Sequence, residues 1–205
     1  MKYPVYVFSL NAASVAGKSN AYRLVVHQQI SAKSADNITV YNKVLSLDKS
    51  QDIAFMHELD DVSLILHPDG ILEIVSLSPN LAYRFHADAF KISSQHLPTA
   101  ELALFIQKGN QLDTPISCTG NITITAPQPH FLIKEKITST HGQIHLQAGS
   151  LEINNKIRGN KGVRLDITGN LKYGPDDLVN DSQLTVNFLC NQACIAYPLQ
   201  STGHI

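Results

Sequence analysis

The feature that most constrains this chain is a repeat: from about residue 60 onward, three apolar residues on alternate positions recur roughly every 20 residues. The triplets are Val62, Leu64, Leu66; Leu81, Tyr83, Phe85; Leu102, Leu104, Ile106; Ile122, Ile124, Ala126; Ile144, Leu146, Ala148; Val163, Leu165, Ile167; and Leu184, Val186, Phe188. They start 19, 21, 20, 22, 19 and 21 residues apart. A second column of pairs lies between them: Leu72 with Ile74, Phe90 with Ile92, Leu112 with Thr114, Phe131 with Ile133, Leu151 with Ile153, and Leu171 with Tyr173. A third, thinner column follows: Leu77, Leu97, Ile116, Ile137, Ile157 and Val179. Alternation at period two is the mark of a strand with one face inward. Each stretch is too short to make a core alone, so it must bury its apolar side against the equivalent stretch one coil away. Three inward stretches per coil predict an all-β fold: a three-sided parallel β-helix, or β-solenoid.

Turn residues support the same register. Gly120, Gly142 and Gly162 each precede an alternating strand. A leucine-rich repeat has a comparable period but requires an Asn ladder that this sequence lacks. The solenoid is expected over 61–188, with an N-terminal cap over 1–60 and a C-terminal cap over 189–205, in one domain. Within the first cap, Val5–Leu10 predicts a strand and Asp36–Val40 a further coil. Tyr22, Val25, Val26 and Ile30 fall at helical spacing, which predicts a short helix over 21–30 capped by Ser19 or Asn20. That helix is expected to cover an apolar patch on the outside of the first sheet at Ile65, Ala82 and Phe105.

The segments Gly-Asn-Ile-Thr-Ile-Thr-Ala, Gly-Gln-Ile-His-Leu-Gln-Ala-Gly-Ser-Leu-Glu-Ile and Gly-Val-Arg-Leu-Asp-Ile-Thr-Gly-Asn-Leu, between residues 120 and 174, resemble the repeats of filamentous-haemagglutinin-type bacterial adhesins. The resemblance covers about a quarter of the chain. It implies a right-handed, secreted β-helix acting as a rigid stalk or adhesive surface. The short length, the cysteines and the nine histidines depart from that pattern and leave room for an intracellular polymer-forming β-helix resembling bactofilins.

A net charge of -1 argues against tracking phosphates, so no nucleic-acid partner is expected. No run of about 18 apolar residues suggests a membrane span, and the apolar run before Asn11, broken by Pro4, is too short for a classical signal peptide. Cys190 and Cys194 are expected to be reduced. With His141 and His145 they have spacings that a helix would turn into metal ligands, but the histidines are expected on a turn and a strand and the two pairs would have to meet from coils two apart, so no metal and no cofactor are expected. Ala12 to Ser19 fits a relaxed phosphate-loop pattern, which would use Gly17, Lys18 and Ser19.

Outward positions of the first sheet stack as Thr123, His145, Arg164, Thr185 and as Thr125, Gln147, Asp166, Asn187. Asp166 is the only acidic residue among them, whereas a glycoside hydrolase places two carboxylates about the scissile bond. The leading expectation is a non-enzymatic solenoid for adhesion, binding or self-assembly. Its candidate surface comprises Ile65, Phe105, His145, Arg164 and Asp166, and its partner is a protein, a glycan or another copy. The alternatives are a carbohydrate-active β-helix enzyme and a nucleotide-binding protein through residues 12–19.

Overall fold

A computed structural model describes residues 3–30, 36–55, 59–174, 177–180, 183–189 and 196–197. The chain is 64% strand and 1% helix, and forms a β-solenoid of about 6 turns with coils of roughly 20 residues. Six strands precede the regular coils: β1 (Val5–Val15), β2 (Lys18–Gln29), β3 (Asn37–Ser46), β4 (Gln51–Ile53), β5 (Ser63–Leu66) and β6 (Ile71–Ser76). The coils follow as β7 (Ala82–Ala87), β8 (Ala89–Ile92), β9 (Glu101–Ile106), β10 (Gln111–Leu112), β11 (Ile116–Cys118), β12 (Asn121–Ile133) and β13 (Ile137–Ser139). They continue as β14 (Ile144–Ile153), β15 (Ile157–Gly159), β16 (Val163–Ile167), β17 (Leu171–Tyr173), β18 (Leu178–Asn180), β19 (Leu184–Phe188) and β20 (Ala196–Tyr197).

The first sheet stacks β7, β9, the first half of β12, the first half of β14, β16 and β19 in chain order, all parallel. Leu102 stands against Ile122, Ile122 against Ile144, Ile144 against Val163, and Val163 against Leu184. The last five triplets therefore stack residue for residue as their spacing requires. The second triplet slips by two: Tyr83 and Phe85 meet Leu102 and Leu104, and Ala87 rather than Leu81 completes the set. In the second column Phe131, Leu151 and Leu171 stack as expected. Leu112, however, meets Ile133, and Thr114 instead turns its hydroxyl to accept a hydrogen bond from the Ile92 amide at 3.3 Å. In the third column Ile116, Ile137 and Ile157 continue to Leu178, not Val179, and Leu97 stands against Cys118.

The first triplet is the informative departure. Val62, Leu64 and Leu66 are buried, but β5 pairs antiparallel with both β4 and β6, in a sheet ordered β4-β5-β6-β8. The place before β7 in the first sheet is taken by β1, parallel to it, with Tyr6 against Tyr83 and Phe8 against Phe85. Those rings stack at 6.1 and 4.6 Å between centroids. Phe55 meets Phe8 edge-on at 5.6 Å, so the aliphatic core ends in an aromatic plug.

Among the described residues no helix covers this end. The segment expected to be helical is β2, antiparallel to β1 and to β3, and β3 includes the expected Asp36–Val40 coil from residue 37 onward. Tyr22, Leu24, Val26 and Gln28 face Ala12, Leu10, Phe8 and Tyr6, so the operative period is two. Adjacent β-branched Val25 and Val26 are stiff at χ1 and suit a pleated surface, and β1 offers a strand edge that a helix would leave unpaired. Pro198, Cys190 and Cys194, on which the C-terminal cap and thiol expectations rested, lie outside the described residues. Cys118 is fully buried against Thr99, and burial pushes its thiol pKa up.

Candidate functional site

The parallel register carries the outward side chains of the first sheet into two continuous columns. One runs Val7, Arg84, Ala103, Thr123, His145, Arg164, Thr185; the other Ser9, His86, Phe105, Thr125, Gln147, Asp166, Asn187. Four of the five expected surface residues, Phe105, His145, Arg164 and Asp166, therefore share a face. Ile65 does not belong to it. It sits on β5 in the β4-β5-β6-β8 sheet, opposite Asp52 and Glu73. The expected apolar patch does not form, because Phe105 stacks on the His86 ring at 5.2 Å and Ala82 is buried. Burial, with the nearby Arg84 charge, pushes the His86 pKa down, which keeps that ring neutral and suited to stacking.

Asp166 organises the polar end of the face. Its carboxylate accepts hydrogen bonds from His145 Nε2 at 2.7 Å, Arg164 Nε at 3.1 Å and Asn187 Nδ2 at 2.6 Å. Arg164 adds a second contact through Nη2 at 3.0 Å. The donors come from three successive coils, on β14, β16 and β19, so the side chain ties the stack together. Burial alone would raise the Asp166 pKa. The bonds from Arg164, Asn187 and His145, with the His145 charge, outweigh it and hold the carboxyl far below the usual range. Beside it the Thr125 hydroxyl donates to Gln147 Oε1 at 2.9 Å. A carboxylate saturated in this way is a structural anchor. It presents no free lone pair for general-base work.

Gly17, Lys18 and Ser19 do not open a helix. Val15 pairs with Lys18 across a two-residue turn, and Gly17 takes φ +80° at the tip of the β1–β2 hairpin. A phosphate loop depends on a helix N-terminus aiming amides at the anion, and here the chain continues as β2.

The long sheet has the order β19-β16-β14-β12-β9-β7-β1-β2-β3, so β3 and β19 are its edges among the described residues. The large hydrophobic residues exposed among the described residues are Ile30, Ile38, Val40, Val44, Leu184, Phe188 and Leu189. Every one lies on β3, on β19, or at the residue following β2 or β19. Sequence reasoning placed Phe188 as an inward residue, but on β19 it is 40% exposed. The position of β3 at an edge was invisible to periodicity, because β3 enters the sheet through antiparallel pairing.

Among the described residues no group of three or more His, Cys, Asp or Glu side chains is placed to hold a metal ion, and no helix is long and apolar enough to cross a membrane. Comparison with protein-family models, with curated proteins and with solved structures finds no match to this chain.

Proposed function

We propose that this β-solenoid is a self-associating scaffold, in which β3 of one copy receives β19 of the next. The observation that carries the reading is that six of the seven exposed large apolar side chains among the described residues, all but Ile30, lie on or next to the two end strands of one sheet. Exposed strand edges template pairing with another chain, and apolar side chains on them add burial. Strand direction selects the arrangement. Two antiparallel steps, β1 to β2 and β2 to β3, leave β3 running with β1, which runs with every first-sheet strand through to β19. Docking β19 onto β3 therefore continues the parallel sheet with unchanged polarity. Such a contact is heterologous and, repeated, gives an open filament. The bulge at Val26/His27 and Lys43, which leans over the Tyr41 ring at 5.3 Å, interrupt β3 and disfavour indiscriminate pairing.

Sedimentation velocity on end-blocked variants tests this. The double variant I38K/V44K blocks β3 and L184K/F188K blocks β19, all four at exposed positions; a thermal melt of each variant checks that it is folded before its association is read. Wild type is expected to form a concentration-dependent series and each variant alone to be monomeric. Their equimolar mixture should form one heterodimer, through the remaining good edge of each. A wild type that is monomeric at every concentration overturns the reading, and so does an L184K/F188K variant that still dimerises through β3 alone.

A further inference from the structure

The mixed sheet β4-β5-β6-β8, where the regular coils begin, carries a second, separate polar constellation. The β4–β5 register pairs Gln51 with Leu66 and Asp52 with Ile65, so one step further along it Ser50 lies opposite His67. The β5–β6 hairpin places Glu73 opposite Ile65, and β8 places Lys91 beside Glu73. Residues two apart on a strand share a face, so Ser50, His67, Glu73 and Lys91 all stand on the outside of this sheet. The distances confirm the grouping: Ser50 Oγ to His67 Nδ1 is 3.0 Å and His67 Nε2 to Glu73 Oε2 is 2.7 Å. Lys91 Nζ donates to the same carboxylate oxygen at 3.1 Å.

The hydrogen positions follow from chemistry. A carboxylate only accepts, so the neutral His67 ring carries its proton on Nε2 and leaves Nδ1 as the acceptor. The Ser50 hydroxyl must then donate to Nδ1. Glu73 is nearly buried while Ser50 is exposed, which puts the orienting group inside and the hydroxyl at the surface. A nucleophile within hydrogen-bond reach of a base, which is itself oriented by a third group, is the constellation of an activated serine. The imidazole is turned end for end relative to the template triad, where Nε2 faces the serine.

We propose that Ser50 is a nucleophile, with His67 as its base and Glu73 as the positioning residue, and that it transfers acyl groups from small, accessible carboxylic esters. As Ser50 Oγ bonds to the acyl carbon, its proton passes to His67 Nδ1. The tetrahedral adduct expels the ester's alkoxide, which takes that proton and leaves as the alcohol. Water attacks the acyl-Ser50, gives its proton to Nδ1 and releases the acid, with Ser50 recovering the proton. The net reaction is ester plus water to acid plus alcohol, with no change of oxidation state. The Nε2 proton stays on His67 throughout, donated to Glu73, whose charge stabilises the imidazolium. An open surface supplies little binding energy, so the substrates are esters with good leaving groups rather than amides.

The whole chain is treated with a fluorophosphonate probe, the adduct is located by peptide mass, and p-nitrophenyl acetate hydrolysis is followed in parallel. The expected result is a single adduct on Ser50, absent in S50A, with labelling of H67A slower by about 100-fold or more. E73Q should label more slowly and shift the pH of half-maximal labelling downward, a readout that loss of packing alone would not move. No adduct, an adduct on another residue, or H67A labelling at the wild-type rate overturns the proposal. S50A and H67A alter exposed or part-exposed positions, so the test survives even where E73Q melts early.

Discussion

Asp166 shows how one residue in this fold gathers partners that a globular protein would scatter. Stacked coils bring His145, Arg164 and Asn187 to it from three strands, and its carboxyl is held well below the usual range. In the unfolded chain the same group titrates near about pH 4. The unfolded state therefore binds more protons below that pH, so this stabilisation is fully present above it and is lost as pH falls toward the folded value. Glu73 acts in the same direction: burial opposes its ionisation, but bonds from His67, Ser93 and Lys91 outweigh that. Urea unfolding from about pH 6 downward is expected to show stability falling on acidification, and D166N should flatten that slope. At neutral pH the same substitution should cost about 1–3 kcal/mol, since its amide opposes Arg164 with a donor. A D166N protein that loses stability with acid as steeply as wild type would remove Asp166 from this account. The Asp166 cluster was legible in the sequence, because parallel stacking at fixed spacing makes register a matter of counting. The Ser50–His67–Glu73 cluster was not, because it depends on antiparallel pairings among β4, β5 and β6 that no repeat announces.

At the scale of elements the same distinction decides what could be read. Alternation reports which side chains face inward, and it placed Leu64 and Leu66 in the core correctly. It does not report which strand lies alongside, and so it gave β5 the seat that β1 occupies. In β2 two periods competed over the same residues. Tyr22 and Val26 fit a helix and a strand alike, and only the long-range partner β1 separates the two. The turn glycines were read for the right reason but with an incomplete mechanism. A Cβ on Gly142 would run into the Gly120 backbone, and one on Gly120 into the Ala100 carbonyl, so these glycines permit coils to stack closely. Gly17 is the contrasting case, with φ +80° and open space around it. G142A is therefore expected to destabilise by about 1–3 kcal/mol through overpacking between coils. G17N should stay within about 0.5 kcal/mol, because Asn tolerates the left-handed region and meets nothing there. Thermal melts of the two variants check the contrast, and a G142A protein as stable as wild type would show that the coils are less closely stacked than described.

Across the whole molecule, stability is distributed along an axis. Each coil buries its apolar side chains chiefly against the next, so energetic coupling should fall away after one neighbour. The N-terminal end is sealed by rings from β1 and β7, with Phe8 against Phe85, whereas the middle is aliphatic, with Ile124, Leu146 and Leu165 in one file. Leu146 and Leu165 are buried neighbours, and removing either leaves a void that the other lines. Truncating Leu146 to Ala should cost about 2–5 kcal/mol, and Phe8 to Ala about 3–5 kcal/mol. Because Phe8 and Leu146 stand on strands separated by β7, β9 and β12, the double variant F8A/L146A should lose the sum of the two within about 0.5 kcal/mol. L146A/L165A should depart from additivity, since the two truncations open a shared cavity. Urea unfolding of the single and double variants measures both differences. Additivity at the distant pair with coupling at the stacked pair is the expected pattern of a one-dimensional core. Strong coupling between Phe8 and Leu146 would instead mean that the aromatic end and the coils form one cooperative body, with the β1–β3 meander a structural part of the solenoid rather than an end piece.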